Sequence, residues 1–129
     1  MRSCARTCVI TKNYTNAIRY YSKSIEYYSF NSLVYLERGF AYENIGELDQ
    51  AISDYSRAIE IDKDFDDAYY FRGIAWEKNK GYHRAIQDYT EAININPKDP
   101  WYFLLRAKLK KGLGDAKGAI ADNNHSIKL

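Results

Sequence analysis

The chain is sparing with the residues that break or staple structure. Among its 129 residues are only two prolines, Pro97 and Pro100, and neither sits where a helix interior is expected. Its two cysteines, Cys4 and Cys8, lie one helical turn apart, a spacing that holds their backbones in poor geometry for a disulfide. With no histidine nearby to complete a metal site, they are expected to be small buried side chains in a reducing cytosol. Net charge is +2, too little to argue for nucleic acid or an anionic membrane as partner. No apolar run approaches the ~20 residues of a membrane span. The start, MRSCARTCVI, has arginines but no apolar stretch behind them, so a secretory signal is not expected. These absences point to a cytoplasmic chain with no membrane association.

Chemistry-bearing motifs are missing as well. There is no Gly-rich phosphate loop and no metal-ligand spacing. His83 and His125 stand in separate segments without a nucleophile to activate. No catalytic residue, cofactor or metal is therefore expected, and the chain is read as a non-enzyme.

A repeat is present. Ala17, Ala51, Ala85 and Ala119 recur every 34 residues, each followed by an isoleucine: Ile18, Ile52, Ile86 and Ile120. Ile25, Ile59, Ile93 and Ile127 keep the same phase, and Tyr21, Tyr55 and Tyr89 share a register that Asn123 completes. A period of 34 suits a two-helix unit that cannot bury its apolar face alone. The hydrophobic fraction of 46% and aromatic fraction of 16% supply a core, and the 28% of charged residues an ordinary surface.

We read one domain over residues 1–129, in units of about 1–31, 32–65, 66–99 and 100–129, each a helix A and a helix B. In the first unit, helix A is expected from Arg2 to Ile10, a turn at Thr11-Lys12-Asn13, and helix B from Tyr14 to Tyr27. In the second, Asn31 or Ser32 caps helix A, Tyr35, Gly39 and Tyr42 form a helical stripe, and Gly46 breaks the hairpin. In the third, Tyr69, Gly73 and Trp76 repeat the stripe, Gly81 is expected to make the turn one place late, and Pro97 stops helix B. Asp99-Pro100 starts the fourth, where Phe103 and Ala107 are followed by Lys110, and Gly114-Asp115 turns the chain.

These residues resemble the tetratricopeptide repeat family. Its pattern is aromatic, small, aromatic on helix A, then alanine, aromatic, alanine on helix B, with a proline near the end. Tyr69, Gly73, Trp76, Ala85, Tyr89, Ala92 and Pro97 match it fully. Tyr35, Gly39, Tyr42, Ala51, Tyr55 and Ala58 match it with Lys63 in the proline place. The fourth unit keeps Phe103, Ala107 and Ala119 but has Lys110, Asn123 and Ser126 elsewhere; the first keeps Ala5, Ala17, Tyr21 and Ser24, with Met1 and Cys8 at the aromatic places. The resemblance implies an all-α fold: eight antiparallel helices stacked as a right-handed superhelix. Gly39 and Gly73 are expected to let helix A press on helix B, facing Ala51 and Ala85.

Arg38, Arg72 and Arg106 also recur, each 16 residues before Asp54, Asp88 or Asp122. We expect these to pair as an arginine–carboxylate ladder, since the guanidinium fork suits a carboxylate in a tight site.

The resemblance further implies that the A helices line a concave face. Positions off the core stripe would then form an apolar wall of Leu36, Phe40, Tyr70, Phe71, Ile74, Trp101, Leu104 and Leu105, edged by Glu37, Asn44, Lys78 and Lys108. A contiguous apolar strip marks a contact surface. The expected function is a scaffold that binds a protein or peptide segment in this groove. The alternative is a self-associating module, its groove or ends covered by other copies or by parts of a longer chain. The chain starts and stops within repeats, without the polar capping helix such arrays need, so an unsheathed end face with Ile120 and Ile127 is expected.

Family members that clamp the C-terminal carboxylate of heat-shock chaperones use lysine, asparagine and arginine at fixed A-helix places. Those places hold either Arg2, Arg6, Glu37, Asp67 and Phe71, or Leu36, Phe40, Phe71, Trp101 and Leu105. Neither set suits a carboxylate, so that role is not expected, and the wall lacks the basic, base-stacking character of an RNA reader.

Overall fold

The structure, a computed structural model, describes residues 2–27 and 30–129, and only the backbone of residues 2–12. Cys4, Cys8 and the other side chains called on in that stretch, with Met1, lie outside the described residues. Among the described residues every regular element is helical: α1 (Arg2–Tyr27), α2 (Ser32–Asn44), α3 (Leu48–Ile61), α4 (Asp66–Lys78), α5 (Tyr82–Ile95), α6 (Pro100–Gly112) and α7 (Ala116–Lys128). The chain divides into two compact units, residues 1–63 and 64–129. In the first, α1 packs on α2 and α2 on α3; in the second, α4, α5, α6 and α7 pack in succession.

The all-α expectation holds, with seven helices in place of eight. The difference lies in the first repeat, where one helix of 26 residues runs through the expected turn at Thr11-Lys12-Asn13. That segment contains neither glycine nor proline, so nothing in it forces the backbone out of the helical region. The three later hairpins each have one residue in the left-handed region. Gly46, Lys80 and Gly114 have φ of +86°, +64° and +94°. Behind each, an N–H reaches back to close the helix end: Glu47 to the Tyr42 carbonyl (2.9 Å), Gly81 to Trp76 (2.7 Å) and Asp115 to Lys110 (2.8 Å). This is a Schellman closure, which wants a left-handed residue one place earlier. The third turn is thus not displaced. Lys80 takes the left-handed position in register with Gly46, while Gly81 precedes α5 with φ of −87°.

The starts of α2, α6 and α7 are secured by short polar side chains. The Asn31 carboxamide oxygen accepts from the N–H groups of Leu33 (3.1 Å) and Val34 (3.4 Å), settling the α2 cap on Asn31. Asp99 accepts from Trp101 N–H, and Asp115 from Gly118 N–H. Each satisfies a donor that the first helical turn leaves orphaned.

Within each hairpin the alanine and tyrosine registers form the interior. Ala51, Tyr55 and Ala58 are buried, as are Ala85, Tyr89 and Ala92. A Cβ added at Gly39 would sit 2.7 Å from Tyr55 Cε1, and one at Gly73 2.7 Å from Tyr89 Cε1. The helix-A glycine is therefore a seat for the helix-B tyrosine ring more than for the alanine expected to face it. Each ring is anchored by its hydroxyl, which donates to Glu43 (3.0 Å) or Glu77 (2.9 Å). Burial, and then the adjacent carboxylate, push the Tyr55 and Tyr89 hydroxyls far above their ordinary pKa. The fourth repeat changes all three partners together: Ala107 replaces the glycine, Asn123 the tyrosine and Lys111 the glutamate. With no ring to seat, a Cβ at residue 107 is accommodated, and Asn123 is exposed.

The arginine–aspartate ladder is present, and it runs within each hairpin. Arg38 Nε and Nη2 donate to Asp54 Oδ2 and Oδ1, both at 2.7 Å. Arg72 makes the same fork with Asp88 (2.9 and 2.7 Å), and Arg106 with Asp122 (2.8 and 2.7 Å). Arg38 Nη1 also reaches Ser22 Oγ on α1, and Arg106 Nη1 reaches Thr90 Oγ1 on α5, each at 3.2 Å. The guanidiniums of Arg38 and Arg106 thus tie their helix A both to its own helix B and to the preceding helix. Because each arginine turns inward, the residue before it is rotated about 100° away, so Glu37, Phe71 and Leu105 point to another side of their helices.

Candidate partner-binding face

In the first unit the face belongs to α2. Phe40 is 41% exposed, and its ring meets the edge of Tyr14 on α1 at 6.5 Å between centroids. Leu36, one turn before Phe40, is 7% exposed and departs from the expected open strip. The reason is that α2 is packed by α1 on one side and α3 on another, so two of its faces are covered. Glu37 is half-buried beside Tyr21, whose hydroxyl is pushed up by burial first and then by its hydrogen bond to Glu37. Asn44 is exposed, and its amide donates to the Phe40 carbonyl at 2.7 Å, closing on its own helix.

In the second unit the face is shared by α4 and α6. Tyr70 stacks on Phe71 (5.0 Å, interplanar 23°), and its hydroxyl accepts from Trp101 Nε1 at 3.2 Å. Tyr70 also leans on Tyr102, whose hydroxyl donates to Asp66 Oδ2 at 2.8 Å. These contacts fix the starts of the two helices side by side. Trp101 is 50% exposed and Leu104 also lies open, while Ile74 and Leu105 are half-buried against the Tyr89–Leu109 core. Tyr70 packs on the Ile93–Phe103 core. The face is therefore a seam of half-buried apolar side chains with Trp101 and Leu104 standing proud. Lys78 and Lys108 are exposed at its far end, and Lys108 Nζ lies 3.5 Å from Glu77 Oε1.

At the near end the charge is negative. Asp67 is held above its ordinary pKa by burial first and by neighbouring Asp66 second. Sequence reasoning missed the Tyr–Glu anchors and the Tyr102–Asp66 contact. The first was legible, since Glu43 and Glu77 keep the repeat period and Lys111 breaks it in the repeat where Asn123 breaks the tyrosine register.

His83 is exposed on α5, and His125 stacks obliquely on Phe103 at 4.4 Å. Among the described residues no cluster of histidine, cysteine and carboxylate groups could hold a metal ion. No described helix is long and apolar enough to cross a membrane.

The family descriptions "TPR repeat" and "Tetratricopeptide repeat" match residues 44–80 and 66–99. The fold is similar to that of MamA, with a TM-score of 0.84 and 24% identity over 91% of this chain and 68% of that one. It is also similar to the second TPR of Spaghetti, solved bound to an HSP90 peptide, with a TM-score of 0.71 and 26% identity over 76% of this chain and 91% of that one. A third likeness is to YrrB, described as a TPR protein with an unusual peptide-binding site, with a TM-score of 0.76 and 21% identity over 84% of this chain and 56% of that one. No curated protein matches the chain by sequence. The helix pairs, their 34-residue register and these likenesses define a helical-repeat protein of the interaction-scaffold class. Residues 44–99 of the chain carry tetratricopeptide repeats.

Proposed function

We propose that the chain acts as a single non-catalytic cytoplasmic domain that binds a peptide or partner segment on its A-helix faces. The observation that carries this reading is the seam on α4 and α6, where Trp101 and Leu104 stand exposed over the Tyr70–Phe71 stack. Exposed aromatic and leucine side chains on a rigid seat suit anchoring, because little side-chain freedom remains to be lost on binding. Phe40 and Asn44 on α2 supply the same kind of surface in the first unit. Micromolar affinity, about −8 kcal/mol, is in keeping with a few such anchors.

The partner in this reading is not a clamped C-terminal carboxylate. Asp67 lies at one of the clamp places and its neighbours Asp66 and Asp99 are also acidic, so an incoming carboxylate would be repelled. The test is affinity capture with the wild-type chain and with a Phe40→Glu, Tyr70→Glu variant of equal helical content by circular dichroism. A protein retained by the first and lost by the second supports the reading. Identical captures would overturn it.

A second reading, self-association, draws on α7. Ile93 is 8% exposed because Tyr102 and Phe103 of α6 cover it, whereas Ile127, at the same repeat position, is 81% exposed. Light scattering over a concentration series checks this reading, and a constant monomer mass would count against it.

A further inference from the structure

The second unit is electrically lopsided. One end gathers Asp66 and Asp67 in the first turn of α4 with Asp99 capping α6. The other end carries Lys78 and Lys80 at the α4–α5 turn, Arg84 in the first turn of α5, Lys108 and Lys111 on α6, and Lys117 in the first turn of α7. Helix dipoles account for only part of this. Lysines in the last turns of α4 and α6 suit a negative helix end, but Arg84 and Lys117 stand at positive ones, where the first turns of α5 and α7 have no acidic residue. The carboxylates at this end are already engaged. Glu77 accepts from Tyr89 and pairs with Lys108, and Asp115 caps α7.

Within this basic end lies a cleft of about 370 Å³, lined by Glu77, Tyr82, Lys108, Leu109, Gly112 and Leu113. Tyr82 and Leu113 are exposed large apolar side chains, and Gly112 contributes no side chain where a Cβ would meet nothing within 4 Å. A largely apolar slot with Lys108 in its lining, at an end of the unit rich in lysine, selects two properties at once: an apolar side chain to enter it and negative charge beside it. We propose that this cleft takes an apolar anchor residue of an acidic peptide segment, with Lys108 and Lys111 facing the flanking carboxylates. The assignment rests on the A-helix face being a partner-binding surface, since Lys108 belongs to both.

The test uses the full chain and short peptides, capped at both ends, selected from a random displayed library. Peptides enriched in aspartate and glutamate around a leucine, methionine or aromatic residue are expected. Their binding, followed by fluorescence anisotropy, is expected to weaken with added salt and by about tenfold in Gly112→Phe, which fills the slot from a position with open space. Lys108→Glu is expected to weaken it without filling anything. Circular dichroism confirms that both variants fold. Selected peptides without acidic enrichment, or binding untouched by Gly112→Phe, would overturn the assignment. Binding lost in Tyr70→Glu but kept in Gly112→Phe would leave the A-helix face standing and remove the cleft, while an empty selection would remove both. Tighter binding of a single-stranded oligonucleotide, or a dimer that Gly112→Phe dissolves, would replace the peptide by another occupant.

Discussion

Asp122 is gripped from two sides: Arg106 forks onto both its oxygens, and Lys110 Nζ reaches Oδ2 at 3.2 Å. Asp88 has the same fork from Arg72 but no lysine, because Trp76 occupies the place of Lys110. The two carboxyls move in opposite directions. Burial pushes Asp88 up by more than Arg72 pulls it down; at Asp122 burial also pushes up, but Arg106 and Lys110 together outweigh it. Asp88 should therefore take up a proton at higher pH than Asp122. Carboxyl-resolved NMR titration checks the order, and Lys110→Met should raise the Asp122 midpoint while leaving Asp88 in place.

The consequence for stability has opposite signs at the two sites. The depressed Asp122 pKa contributes stability that is present above the unfolded value, about 3.9, and is lost as pH falls through the folded value. The raised Asp88 pKa contributes stability that is present below that unfolded value and is lost as pH rises through the folded one. Thermal melts between mildly acidic and strongly acidic pH should show a steeper acid loss for the wild type than for Lys110→Met.

Arg72→Leu leaves the nearly buried Asp88 without its fork and should destabilise by about 3 kcal/mol. Arg72→Lys should recover only part, because an ammonium cannot donate two parallel bonds to one carboxylate. A denaturant double-mutant cycle on Arg72 and Asp88 is expected to give a coupling of about 1–3 kcal/mol, and additivity would contradict the pairing.

Opposite substitutions at the same repeat position should both destabilise. Gly73→Ala drives a Cβ into the Tyr89 ring and should destabilise by about 1–3 kcal/mol. Ala107→Gly exchanges a good helix former for a poor one and should destabilise by about 0.5–1 kcal/mol. Gly39→Leu should behave as Gly73→Ala, only more severely. Melting temperatures of the three variants decide this.

Lys80 holds a left-handed backbone that its side chain disfavours. Lys80→Gly should stabilise the chain by about 0.5–1 kcal/mol in urea unfolding. A loss of stability would mean that the lysine does more at this turn than bridge it.

The helices and their registers were legible because the repeat displays each constraint several times: Ala51, Ala85 and Ala119 are buried in hairpins of one geometry. The ladder was legible for the same reason, as two series of charges held one spacing. The missing turn in α1 was hidden because a single divergent copy leaves only local propensity to read, and Thr11-Lys12-Asn13 has no strong breaker. The face was legible as a set of positions but not as a surface. Whether Leu36, Ile74 or Leu105 is open depends on how closely neighbouring helices approach, and periodicity says nothing about that distance. The Lys80 turn is harder to read because glycine is the usual left-handed residue and Gly81 stands beside it, although the register puts residue 80 in the place of Gly46.

The joint replacement of Gly, Tyr and Glu in the last repeat has a kinetic side. Without a seated ring, α7 is held to α6 by the Asp122 grip and the Phe103–His125 contact, and its isoleucines are exposed. Helix α5, with Tyr89 wedged into Gly73 and tethered to Glu77, has no comparable freedom. Opening of this unit should begin at α7 and travel toward α5, so amide protons of α7 exchange with deuterium first. The repeat array is thereby given a direction of unravelling, written into which of its copies kept the tyrosine.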